Sequence, residues 1–129
     1  MNLERLRGKT TGDMKVTNVH RLAWLLVIAL VSNVARAQDL NKERQSLLVC
    51  SATEAVLRGS QSCDSPTTLL HAVFEKCLSR ERALRVALLR LRPGDVVLAE
   101  NAIKHVRERM SRRIQRAIRD VQTGGGQCS

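Results

Sequence analysis

The chain has no tyrosine, one phenylalanine, one tryptophan and only two prolines. This scarcity excludes a core built on aromatic strands. It also excludes nucleic-acid binding by stacking bases on aromatic platforms. Two prolines and seven glycines exclude collagen-like repeats and proline-rich linkers. No C-x-x-C, G-x-S-x-G, glycine-rich phosphate loop or H-E-x-x-H occurs, so none of the chemistries tied to those motifs has sequence support. The 129 residues allow one small domain, of a size that often needs covalent help.

What is present begins with an export pattern. Residues 22–31, LAWLLVIALV, are uninterruptedly apolar. Arg5, Arg7, Lys9, Lys15 and Arg21 precede them, and the small-x-small triplet Ala35-Arg36-Ala37 follows. Together these read as a secretory signal peptide cleaved after Ala37. The alternative, an uncleaved anchor, is disfavoured because the run falls well short of the ~20 residues that span a bilayer. A start at Met14 gives a compact signal by itself, so residues 1–13 read as an over-extension of the start site. The expected organisation is a signal peptide over 1–37, a helical domain over 38–122 and a flexible glycine-rich tail over 123–129 that carries Cys128. The expected destination is the periplasm or the exterior.

Export decides how the cysteines are read. Cys50, Cys63, Cys77 and Cys128 all lie beyond Ala37, and an even count in a small exported chain implies two disulfides. Their spacing fits no zinc module, and no metal or cofactor is expected.

The fold class expected is all-α, a small three-helix up-down-up bundle. The first helix should run from Leu40 to Arg58, with Gly59 as its C-terminal stop. Leu48, Ala52, Ala55 and Val56 share one of its faces, and Leu47, Cys50 and Leu57 another. Residues 59–65 read as a loop. Ser65-Pro66 then caps and opens a second helix that should reach Arg92, where Pro93-Gly94 ends it. Leu70, Val73, Phe74, Cys77, Leu84, Leu88 and Leu91 should form its buried face, with a kink or wetter turn at Ser79–Arg82 in preference to a break. Asp95 should cap a third helix whose apolar stripe is Val96, Ala99, Ile103, Val106, Met110, Ile114, Ala117 and Val121, in steps of three and four. Glu100 with Lys104, and Glu108 with Arg112, are favourable i,i+4 pairs.

Helix lengths suggest the disulfide connectivity. In an antiparallel bundle with short loops, at 1.5 Å per residue, Cys50 and Cys77 lie at similar heights. The end of the third helix returns beside the start of the second. The pairs expected are therefore Cys50–Cys77 and Cys63–Cys128, each contributing roughly 3–4 kcal/mol by loop closure.

The formal charge is +10. Six of the 22 cations and two of the 12 acids lie in residues 1–37, which leaves 16 cations against 10 acids, or +6. Most of that excess sits on the third helix. Lys104, Arg109, Arg112, Arg113, Arg116 and Arg119 are candidate anion-binding residues, and Arg107 and Arg113 can lay their methylenes along the apolar stripe. The plain alternative is the solvated outer face of a bundle helix. The dominance of arginine favours bidentate recognition of carboxylate or phosphate.

No enzyme is expected. His71 and His105 are the only histidines beyond the signal and fall on different helices, and Glu54, Glu75 and Glu100 are scattered rather than convergent. Nucleic acid is a poor partner for an exported chain without a stacking platform. The function expected is a protein-interaction module of inhibitor, immunity or accessory type. The alternative is an envelope-surface protein that binds anionic lipid or polymer through the third helix. Lipid ranks lower because that helix carries no Phe or Trp to insert.

Overall fold

A computed structural model describes residues 13–125 and Cys128, with side chains from Arg21 onward. The basic residues Arg5, Arg7 and Lys9, and nearly all of the segment upstream of Met14, lie outside the described residues. So do Gly126, Gln127 and Ser129 of the tail. The described secondary structure is entirely helical, and two disulfides are formed. The helices are α1 (Asp13–Gln61), α2 (Pro66–Lys76), α3 (Leu78–Leu91) and α4 (Val96–Gly124). The chain divides into two units between Ala35 and Arg36.

In the first unit the apolar run is a helix whose side chains are exposed among the described residues. Trp24 is 67% exposed, and even Val27 is 50% exposed. The described part of α1 is long and apolar enough to cross a membrane by length and composition, and it lies near the N-terminus.

The second unit, Arg36–Ser129, holds the core. Its buried residues are drawn from all four helices: Leu47 and Ala55 of α1, Leu69 and Val73 of α2, Leu84 of α3, and Ile103, Met110, Ile114 and Ile118 of α4. Glu81 with Arg107, and Arg85 with Glu100, pair α3 antiparallel to α4.

Three sequence expectations need correction. First, α1 neither starts at Leu40 nor stops at Gly59: it runs unbroken from Asp13 to Gln61. Gly59 is buried, and a Cβ there would sit 3.2 Å from both the Cα and the carbonyl oxygen of Ile118. Its glycine permits backbone contact between two helices rather than a C-terminal turn. The buried row of α1 accordingly runs Leu47, Ser51, Ala55, Gly59, and its last three members are small residues that let α4 come close. Neither face named from the sequence matches this row. Ser51 is satisfied within its own helix, where Oγ donates to the Leu47 carbonyl at 2.8 Å.

Second, the expected helix over 66–92 is two helices broken at Cys77. The Cys77 N–H still donates to the Val73 carbonyl, but its own carbonyl accepts from both Arg80 and Glu81 N–H groups. The chain tightens there for one residue. The tetrad Ser79–Arg82 lies inside α3 and is not a turn; Ser79, Arg80 and Arg82 are exposed, but Glu81 is only 3% exposed.

Third, the buried row of α4 drifts. Its later members are Met110, Ile114, Ile118 and Gln122, in steps of four. Four residues turn 400°, so the row winds around the helix along one ridge, as in ridge-into-groove packing. Ile118 and Gln122 therefore replace Val121, which is half-buried, and Val96 stays exposed because the core begins only at Ala99.

The expected punctuation holds elsewhere. Ser65 Oγ accepts from Thr68 N–H at the start of α2, and Asp95 Oδ1 accepts from Leu98 N–H at the start of α4. Gly94 takes φ +86° in the intervening turn, a conformation natural only to glycine.

Cys50 is bonded to Cys77 across α1 and the α2/α3 break, and Cys63 to Cys128. Their sequence separations are 27 and 65, which correspond to ~3.5 and ~4.3 kcal/mol of loop-closure stabilisation. Gln122 reinforces the second clamp. Its Nε2 donates to the carbonyls of Ser62 and Asp64, each at 2.9 Å, and so fastens the α1–α2 loop to the end of α4.

Gly59→Val places two methyls against the Ile118 backbone. Overpacking of this kind costs about 1–3 kcal/mol, more than valine's better helix propensity returns. Urea unfolding of the oxidised protein is expected to show a loss in that range.

Candidate anion-binding surface

Helix α4 forms because Asp95 caps it and an apolar row repeats along it, while cations fill most of the remaining positions between Lys104 and Arg119. The structure divides these cations into two groups.

On the flank facing α2 and α3, charge is neutralised locally. Arg107 Nε donates to Glu81 Oε2 at 2.6 Å. The Arg107 guanidinium also lies 5.2 Å from the centre of the Phe74 ring, within cation–π range. The other oxygen of Glu81 is 3.8 Å from Arg85 Nη2, and Arg85 pairs in turn with Glu100, 2.9 Å from Nε to Oε1. A buried carboxylate is tolerated only when paired, and Glu81 has two guanidiniums. This chain of ions joins α3 to α4 and lines a cleft of about 630 Å³ that also includes Lys104. Lys104 is thus placed apart from most of the other candidate cations. The expected i,i+4 pairs do not form: Glu100 is held by Arg85, and Glu108 lies 3.6 Å from His105 Nδ1.

The remaining five candidates, Arg109, Arg112, Arg113, Arg116 and Arg119, fall within roughly 120° of arc at 100° per residue. All five are exposed. Among the described residues, none of them is ion-paired. Several are three or four positions apart, an arrangement that costs a few tenths of a kcal/mol per like-charge pair. Arg112, Arg116 and Arg119 point along the outer side of the arc. Arg109 and Arg113 border α1, where Arg44 joins them around a groove of about 440 Å³. Arg44 is the residue that sequence reasoning missed. It sits on another helix 65 positions from Arg109, and no local pattern ties the two together.

Two charged pairs elsewhere are local. Arg58 Nε is 3.3 Å from Glu54, and His71 Nε2 is 3.4 Å from Glu75. The side chains of His71 and His105 are 81% and 75% exposed, and each faces a glutamate of its own helix. Among the described residues, no group of three or more His, Cys, Asp or Glu is placed to hold a metal ion.

Comparison with protein-family models, with curated proteins and with solved structures gives no match for this chain. The class that the coordinates define is an all-helical, two-disulfide protein with a basic helix. The disulfides fit an oxidising compartment, and the apolar N-terminal helix fits a signal sequence.

The two cation groups should respond differently to truncation. Arg107→Ala strands the buried Glu81 and is expected to cost about 2–3 kcal/mol, less than a fully buried pair because Arg107 is partly solvated. Arg112→Ala should stay within about 0.5 kcal/mol of the parent. Denaturant unfolding of both variants checks the contrast.

Proposed function

We propose that the chain is exported, loses residues 1–37 and acts as a small non-enzymatic binding module. Its working form is an up-down-up bundle in which α2 and α3 together make the middle arm. The partner is a protein with an acidic surface, engaged by the outward arginines of α4. This is the business of an inhibitor, immunity or accessory protein. The observation that carries the reading is the set of five exposed arginines without ion partners, beside two arginines of the same bundle, Arg85 and Arg107, that are ion-paired. Planar guanidiniums suit bidentate pairing with carboxylates, and clustered charge of one sign accelerates encounter with its opposite. An acidic protein is favoured over a lipid surface because α4 offers no Phe or Trp for insertion.

Export is supported by the basic flank, the exposed apolar helix, the division of the chain at Ala35/Arg36 and the two disulfides. The protein recovered from a secreting host is expected to begin at Gln38 by N-terminal sequencing. Recovery with residues 22–31 intact in the membrane fraction contradicts cleavage.

The partner reading is tested by affinity capture from the envelope fraction, run in parallel with the charge-reversed Arg112→Glu/Arg116→Glu/Arg119→Glu variant. An acidic protein retained by the parent at low salt, released at high salt and lost by the variant is the expected result. Equal retention by both proteins contradicts it. Flotation of the parent with anionic vesicles at low salt only, with no protein captured, replaces it with the lipid reading.

A further inference from the structure

We infer that the groove between α1, α3 and α4 is a binding site for a single-chain anionic amphiphile, a fatty acid or a related chain with one acidic headgroup. The inference goes beyond the partner surface: it shares Arg109 and Arg113 with that surface but rests on Arg44 and an aliphatic floor that the surface does not use.

The groove has a volume of about 440 Å³, within the usual range for small-molecule sites. Its floor is aliphatic, formed by Leu40 and Leu48 of α1, Leu84 and Leu88 of α3, and Val106 and Met110 of α4. No aromatic ring lines it, so it offers flexible aliphatic surface and a pliable Met rather than stacking. Its polar lining is cationic. Arg44, Arg109 and Arg113 surround it with His105, and no carboxylate is among the lining residues. The nearest acid on α4, Glu108, is turned to His105 and lines the opposite cleft.

The groove does not end at Arg113. A second depression of about 290 Å³ continues between α1 and α4 over Ala52, Ala55 and Ile114. The two share Leu48, Met110 and Arg113. From Leu40 to Ala55 the α1 wall is about 22 Å long at 1.5 Å per residue. A linear chain can lie along such a trough with its acidic end at Arg44, Arg109 or Arg113. Three solvated guanidiniums without a paired carboxylate border an apolar floor, and an anion with an alkyl tail complements both surfaces together. An uncharged or cationic chain satisfies only the floor.

The test is calorimetric titration of the purified, oxidised protein with dodecanoate below its micellar concentration, against dodecyl maltoside and dodecylammonium. Dodecanoate is expected to bind at one site, and at least about tenfold more tightly than either comparison chain, the magnitude of a charge-assisted contact. Arg44→Gln/Arg113→Gln should lose about that factor, whereas Arg112→Gln/Arg119→Gln, on the outer side of α4, should stay within about twofold. Both pairs are exposed, so circular dichroism and melting should match the parent. Absence of dodecanoate binding overturns the proposal. So does equal affinity for the three chains, equal loss in both double variants, or binding to anionic vesicles or polyglutamate without binding to dodecanoate.

Discussion

The contact on which the second unit depends is the approach of Gly59 to the backbone of Ile118, where an added Cβ would meet main-chain atoms at 3.2 Å. A chain with a single aromatic residue in this unit cannot fill wide gaps between helices. It compensates by bringing backbones together, through Ser51, Ala55 and Gly59 on α1 and the four-residue ridge of α4. Because the helices touch at that end, Cys63 reaches Cys128 and Gln122 reaches the Ser62 and Asp64 carbonyls. Where larger Leu48 and Met110 take over, a trough remains between α1 and α4. One close approach thus explains both the clamp at one end and the groove toward the other.

The charge distribution follows from the same packing. The α4 flank beside α3 must accommodate Glu81, a carboxylate almost without solvent, and Arg107 and Arg85 neutralise it. The flank beside α1 has no buried acid, so its arginines are left to solvent or to a ligand. Composition alone treats all these cations alike. Tertiary structure separates those that hold the fold together from those available to bind.

The features legible in the sequence were those written locally or by long periodicity. Ser65-Pro66 and Asp95 announced helix starts, Pro93-Gly94 a turn, and the stripe from Ala99 to Ile114 a buried face. The two cysteine pairs followed from helix lengths, which change slowly with small errors of boundary. Other features were hidden because their causes are remote. The break at Cys77 has no Gly or Pro to mark it. Gly59 looks like a C-terminal stop until Ile118, 59 positions later, lies against it. Glu81 reads as surface charge until Arg107 is brought to it, and Arg44 belongs to no motif until α1 lies beside α4. The partner is illegible for the same reason, since its complementary groups are on another molecule.

The central claim is that the arginines of α4 divide into one engaged in the fold and five that are free. The direct measurement is exchange of the arginine Nε protons with water, followed by NMR at near-neutral pH. The Nε proton of Arg107, which faces Glu81 at 2.6 Å, should exchange slowly. Those of Arg109, Arg112, Arg113, Arg116 and Arg119 should exchange at the rate of a solvated guanidinium. An Arg107 proton as labile as the other five, or an Arg112 or Arg116 proton as protected as that of Arg107, contradicts the account.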